Sequence, residues 1–341
     1  MFMFLGKYTS VAANTEAMVN SVKFDLTRGL GTVIPTMQEE AEYAREKYLD
    51  NSDIRTRDAE GWSRALLYPL VAQMIALVSG RVFVGLPLSR NEEWHNMAIN
   101  VTLDSFGGAT TLWQYPSWSW PVMQFILPQI KRVRYYRSRV AQMLRPVIAA
   151  RLAENKMHPD SKPADMVQWL IDNSTDKGTD LAQQADDHIV TNVAAIHTTA
   201  GQLAHTIYDL ARFPEYIPPL REEIDAVIAE EGAAWDGTLT KQMLYKLKKL
   251  DSFLRETQRL NPASLISVTR KVLKPVKLSN GVELPAGTGI GASSACVGRD
   301  SQLWENADEF DGFRFFKLRE KEGDERYQFT SVNGDALGFG E

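Results

Sequence analysis

Glu256-Thr257-Gln258-Arg259 lies on a strongly helical stretch that runs up to Asn261-Pro262, so its two charges sit three residues apart on one helix face. Towards the C-terminus follow Arg270, the turn dipeptide Asn280-Gly281, and Phe310-Asp311-Gly312-Phe313-Arg314-Phe315, an arginine flanked by aromatics. The chain closes on Leu337-Gly338-Phe339-Gly340-Glu341. Alone, a Glu-x-x-Arg is a common solvated ion pair; its place ahead of the other signals gives it meaning. A carboxylate between two guanidiniums can pin a helix to a later segment. Removing one partner of such a buried set typically costs about 3–5 kcal/mol.

Towards the N-terminus, residues Asp186 to Phe213 read as a long helix. Its aliphatic stripe is Ile189, Val193, Ile196, Leu203, Ile207 and Leu210, spaced for one buried face. On the opposite side stand Asp187, Thr191, Ala194, Thr198, Gly201 and His205. That face is small and weakly polar. It suits either tight helix–helix packing or close approach to something flat.

In order and spacing these segments resemble the cytochrome P450 family of haem-thiolate monooxygenases, over nearly the whole chain. The resemblance implies a mainly α fold with small β-sheets and a structural triad of Glu256, Arg259 and Arg314. Arg270 matches the family's propionate-binding arginine, a role suited to a guanidinium. Phe339 and Gly340 match the start of the haem loop. Aligned on Phe339, the loop's cysteine falls at position 346, past Glu341. The expectation is therefore an incomplete fold, the interior portion of the family's domain over residues 1–341. No residue of this chain would ligate the iron, and haem b binding would be impaired. Ala295-Cys296-Val297-Gly298-Arg299 mimics the ligand sequence, but Ala292 and Gly289 stand where the loop needs glycine and phenylalanine. Cys296 is read instead as a small buried hydrophobe.

Ala194-Ala195-Ile196-His197-Thr198-Thr199 matches the family's oxygen-binding segment, with Ala195 replacing the usual glycine and His197 the usual acid. The resemblance implies that Thr198 relays protons and that His197 or a nearby water feeds the relay. A histidine satisfied inside a helix bundle is the other reading of His197, and both stand. Ile207-Tyr208-Asp209-Leu210-Ala211-Arg212-Phe213-Pro214-Glu215-Tyr216 and Pro219-Leu220-Arg221-Glu222-Glu223 resemble the fungal secondary-metabolism branch. Its members oxidise apolar small molecules, such as terpenoids, with electrons from an NADPH-dependent reductase. The alternatives are a non-catalytic relic or small-molecule-binding protein, and an unrelated helical scaffold.

Composition sets the outer limits. In 341 residues, 44% hydrophobic and 24% charged, a sizeable core is available. A formal charge of −5 is too mild to point to nucleic acid. One cysteine, Cys296, excludes an internal disulfide framework, and the five histidines show no zinc-like spacing. The most apolar run, Ala65 to Val78, is interrupted by Pro69 and Gln73 and is too short for a membrane span. Met1 to Lys7 does not read as a signal peptide. The family usually sits on the endoplasmic-reticulum membrane, facing the cytosol; this chain, without the usual anchor, is expected to be cytoplasmic or peripheral.

Further helices are expected over Thr36 to Asp50, starting beside Pro35, over Trp62 to Ser79, ending at Gly80, and over Val122 to Leu152. Ser89-Arg90-Asn91-Glu92 reads as a capping box. Lys131, Arg132, Arg134, Arg137 and Arg139 read as a solvated helix face. Between Leu112 and Pro121, Trp113, Tyr115, Trp118 and Trp120 mark an irregular aromatic segment, either packed on its own rings or touching a membrane surface. Residues Ser264 to Ile290 are expected to form a small sheet with a hairpin at Asn280-Gly281. No linker divides the chain, so one domain is expected.

Overall fold

A computed structural model describes residues 9, 15–50, 56–57, 60, 62–158, 161–232, 235–322, 325–332 and 334–337. Helices dominate: α1 (Glu16–Asn20), α2 (Thr27–Arg45), α3 (Leu67–Phe83), α4 (Glu92–Trp113), α5 (Trp120–Ile126), α6 (Pro128–Met157) and α7 (Met166–Asn173). They continue as α8 (Leu181–Arg212), α9 (Ile217–Glu231), α10 (Lys241–Lys246), α11 (Lys248–Leu260), α12 (Ser294–Gly298) and α13 (Arg314–Glu322). Among the described residues three two-stranded antiparallel sheets accompany them: β1 (Thr56–Arg57) with β2 (Ser63–Arg64), β3 (Ser267–Lys271) with β6 (Gly289–Ala292), and β4 (Val276–Lys277) with β5 (Glu283–Leu284). The mainly α class with small sheets is as expected. Asn280-Gly281 does turn β4 into β5: Gly281 takes φ +88°, and the Asn280 side chain accepts from the Val282 N–H at 3.1 Å.

The chain divides into two compact units, Met3–Ala200 with Thr238–Lys241, and Gly201–Gly237 with Gln242–Glu341. The first unit is built on Val33, Phe83, Trp94, Val101, Leu144, Ile148, Met166, Leu170, Ile189 and Val193. Each such side chain contributes about 1.5–3 kcal/mol by leaving water. In the second, Phe253 is fully buried and meets Tyr216 and Phe310 edge to face at ring separations of 5.5 and 5.1 Å. Gly312 allows that cluster, because a Cβ there would lie 2.7 Å from Phe253 and 2.9 Å from Tyr216.

Several helix limits differ from the sequence reading, each for a local reason. Pro35 lies inside α2 rather than at a helix start. It removes one N–H from the ladder, and the carbonyl it frees belongs to Gly31, which is exposed to water. α3 begins at Leu67, leaving Trp62 exposed, and runs through Gly80 to Phe83. Gly80 is a contact point: a Cβ there would stand 3.4 Å from that of Ser89. Asn91, not Ser89, caps α4, accepting from the Trp94 N–H at 3.0 Å. Leu127 separates α5 from α6 at φ −64°, ψ 123°, as the ring of Pro128 disfavours helical geometry in the residue before it.

The basic stretch of α6 is solvated, with Lys131, Arg132 and Arg137 exposed, but three of its arginines are also paired. Arg132 Nε lies 2.8 Å from Asp104, Arg137 Nε 2.6 Å from Asp186, and Arg139 Nη2 2.7 Å from Glu93. Its arginines thus tie α6 to α4 and α8. Helices also take up much of the aromatic segment between Leu112 and Pro121, since α4 extends to Trp113 and α5 starts at Trp120. Trp120 packs with Leu112, Leu127 and Ile130, and its indole N–H donates to the Tyr115 carbonyl at 2.9 Å. Trp118, Val122, Phe125 and Ile126 are exposed. No helix among the described residues is long and apolar enough to cross a membrane.

Candidate functional site

α8 carries the oxygen-site candidates, and its burial pattern explains how. Ile189, Val193 and Ile196 are buried as expected, but the stripe then continues through Ala200 and Ala204 instead of Leu203, and Ile207 is exposed. Alanine lets neighbouring elements approach the helix closely. The opposite face also changes along its length. Asp187 and Thr191 are buried, whereas Ala194, Thr198, Thr199 and His205 are exposed. A Cβ added at Gly201 would meet nothing within 4 Å. The open small-residue face therefore begins only at Ala194.

The buried half of α8 is unusually polar. Asp187 Oδ1 accepts from the Thr15 hydroxyl at 2.9 Å and from Gln183 Nε2 at 3.2 Å. Burial pushes its carboxyl up to about 6. His188 is completely buried, with its ring edge-on to Trp94 at 6.4 Å, and neither nitrogen has a hydrogen-bond partner among the described residues. Burial drives its pKa down to about 3, so the ring is neutral. Sequence reading passed over His188 because nothing in its neighbours marks it as buried.

At the open end, the Thr198 hydroxyl donates to the Ala194 carbonyl at 2.7 Å, a bond within the helix. Its oxygen retains the capacity to accept a further hydrogen bond. His197 is engaged at both nitrogens. Nε2 lies 2.9 Å from the Ile99 carbonyl, and Nδ1 lies 2.7 Å from the Tyr68 hydroxyl. A carbonyl can only accept, so Nε2 carries a proton. In the neutral ring Nδ1 is then the acceptor for the Tyr68 O–H.

The second unit holds the ion-pair triad. Arg259 Nη2 and Nε reach the Glu256 carboxylate at 2.7 and 2.8 Å, and Arg314 Nε lies 3.2 Å from each oxygen. The remaining Arg259 donors take the carbonyls of Gly298, Ala307 and Glu309. The Asp311 N–H donates to Glu256 at 3.0 Å. The grouping of Glu256, Arg259 and Arg314 expected from the sequence is present. Arg270 stands exposed on β3, and its guanidinium has only the Thr269 carbonyl, at 3.0 Å, among the described residues. Exposed Leu265 and Ile266 lie nearby in sequence.

Cys296 is exposed on α12, not buried as expected. Its short helix is capped by Ser293, whose hydroxyl accepts from the Cys296 N–H at 3.3 Å. Phe339 and Gly340 lie outside the described residues. Among the described residues, no group of three or more histidine, cysteine or acidic side chains could hold a metal ion.

On α8, Ala194, Thr198 and Gly201 present a face without bulk, as the close approach of a flat group such as haem requires. Taken by itself in the second unit, Arg270 has no carboxylate partner among the described residues, and its guanidinium has the chemistry to take a carboxylate such as a haem propionate.

Comparison with known proteins places the chain in context. A family model described as Cytochrome P450 matches residues 17–340. The chain is 40% identical over 340 residues to "Cytochrome P450 monooxygenase BOA4" of Botryotinia fuckeliana (strain B05.10), covering 99% of this chain and 66% of that protein. It is 35% identical over 342 residues to "Cytochrome P450 monooxygenase braC" of Annulohypoxylon truncatum, covering 98% and 66%. It is 36% identical over 334 residues to "Cytochrome P450 monooxygenase ORF5" of Penicillium roqueforti (strain FM164), covering 97% and 60%. Thus the chain spans 60–66% of the length of these relatives. Among solved structures, "Retinoic acid bound cyanobacterial CYP120A1" superposes with a TM-score of 0.68 at 16% identity, covering 99% of this chain and 69% of that one. That likeness speaks for the fold.

Proposed function

Because the chain belongs to the cytochrome P450 family, we propose that its protein is a fungal monooxygenase. It inserts one oxygen atom from O2 into an apolar small molecule, with electrons from NADPH through a reductase. Secondary metabolites such as terpenoids are the substrate class. The observation that carries this reading is the open face of α8 from Ala194 to Gly201, with the Thr198 hydroxyl on it.

Haem, when bound, would supply the O2 activation. The chain's own residues bind and orient. By the family resemblance Arg270 would hold a propionate; on α8, the lone methyl of Ala194 and the lack of a side chain at Gly201 would let a planar group lie close to the helix. Thr198, after releasing the Ala194 carbonyl, would take a proton from a water at this face as it hands on its own. The triad of Glu256, Arg259 and Arg314 fixes α11 to the segment around Asp311. The family match extends across both units, which supports treating residues 1–341 as part of one domain. Trp113 and Trp118, together with Val122, Phe125 and Ile126, make an apolar surface suited to peripheral membrane contact. Trp120 is less available for that role because it packs inward.

The test is turnover by the full-length protein carrying this chain, reconstituted with haem and an NADPH-dependent reductase. Oxygen-dependent conversion of apolar substrates, with one oxygen atom from labelled O2 in the product, is expected. A protein that takes up haem and accepts electrons, yet incorporates no labelled oxygen into any substrate of this class, overturns the proposal.

A further inference from the structure

The two hydrogen bonds of His197 reach different helices. Tyr68 lies in the first turn of α3, Ile99 in the middle of α4, and His197 on α8 directly before Thr198. The tyrosine and histidine rings also stack, with centroids 6.2 Å apart and planes inclined by 28°. The adjacent Ile196 is fully buried and clusters with Ala76 of α3 and Ala98 of α4. The same turn of α8 is thus held to the same two helices twice, by apolar packing and by hydrogen bonds. Neither ring nitrogen of His197 remains free to pass a proton.

We propose that Tyr68 is a positioning residue: with the Ile99 carbonyl it locks His197 as the Nε2–H tautomer and straps the Thr198 turn of α8 to α3 and α4. The functional part rests on the monooxygenase reading; the strap itself does not. The chemistry required at position 197 is one donor and one acceptor on the same planar group. A carboxylate, the usual family residue there, supplies acceptors only, and would face the Ile99 carbonyl with a like dipole. A glutamine supplies both, through its NH2 and its C=O. The strap therefore makes a prediction opposite to that of a proton relay, in which glutamate would serve and glutamine would not.

Three measurements decide it. In protein labelled with 15N-histidine, long-range 1H–15N spectra should show His197 protonated at Nε2, with an Nδ1 resonance typical of a hydrogen-bond acceptor. Tyr68→Phe should shift that Nδ1 resonance towards the free value and lower the Tm by roughly 2 °C, the scale of one lost hydrogen bond in a large domain. His197→Gln should retain more of the wild-type Tm than His197→Glu. In the haem-loaded full-length protein, Tyr68→Phe should reduce product formed per NADPH several-fold at unchanged haem content, and His197→Gln should exceed His197→Glu in the same ratio. A proton on Nδ1, no spectral response to Tyr68→Phe, or His197→Glu exceeding His197→Gln in both Tm and coupling would overturn the strap. If wild type makes no product at all, the monooxygenase reading fails, while the spectra and Tm values still decide the strap.

Discussion

Glu256 takes both prongs of the Arg259 guanidinium while neither side chain is more than 3% exposed. The pair is three residues apart on α11, so the helix itself sets their separation, and Arg314 closes the arrangement from the start of α13. Two cations and one anion out of water would be costly alone. Here the surplus positive charge is met by backbone carbonyls from residues 298 to 309.

Glu256→Gln should therefore destabilise by about 3–5 kcal/mol, because the buried Arg259 and the partly buried Arg314 lose their anion. Urea unfolding monitored by circular dichroism measures this. A loss under about 1 kcal/mol would mean the triad is hydrated and energetically ordinary, as exposed pairs are.

Acid stability should depend on two adjacent groups of opposite sign. His188 titrates near 3 when folded and near 6.5 when unfolded. As pH falls between those values the unfolded chain binds the extra proton, and stability drops by about 1.4 kcal/mol per pH unit. Asp187 titrates near 6 when folded against 3.8 unfolded. Between those values the folded chain holds the extra proton, so its contribution rises as pH falls. The two slopes offset between pH 6 and 3.8. Asp187→Asn should expose the loss due to His188, and His188→Phe the gain due to Asp187. Parallel stability–pH curves for wild type and both variants would refute this.

Thr198→Ala removes a hydroxyl whose proton is already bonded within the helix, so it should leave folding and haem content nearly unchanged. Product per NADPH in the loaded full-length protein should fall, with peroxide or water formed instead. Unaltered coupling would remove Thr198 from the chemistry.

Trp118 and Phe125 are 81% and 61% exposed. Replacing both by serine should cost little stability and should weaken sedimentation with phospholipid vesicles several-fold. Equal binding by wild type and the double variant would rule out this surface as the contact.

The triad was legible because three-residue spacing on a helix is local and the later segment follows in a fixed order. The hairpin at Asn280-Gly281 was legible for the same reason: φ +88° at Gly281 is written into the residue type. The strap on His197 was not. Tyr68 and Ile99 lie 129 and 98 residues away, and nothing in their own neighbourhoods marks them. Pro35 and Gly80 misled as punctuation because their effects depend on surroundings, water at Gly31 and Ser89 against Gly80. Cys296 was misjudged because a residue type's average burial says nothing about one short capped helix.

The arginines of α6 carry a consequence for how this sequence can change. Arg132, Arg137 and Arg139 each answer one acid, at positions 104, 186 and 93. Asp104 and Glu93 are committed further, accepting also from the hydroxyls of buried Tyr136 at 2.8 Å and exposed Tyr135 at 3.1 Å. Drift at any of these sites is then conditional on its partner. A relative that has lost the acid at 104 should have abandoned arginine at 132 as well. One keeping only half of a pair should show its compensation on a neighbouring turn. The basic run is best read as three separate inheritances that happen to share a helix.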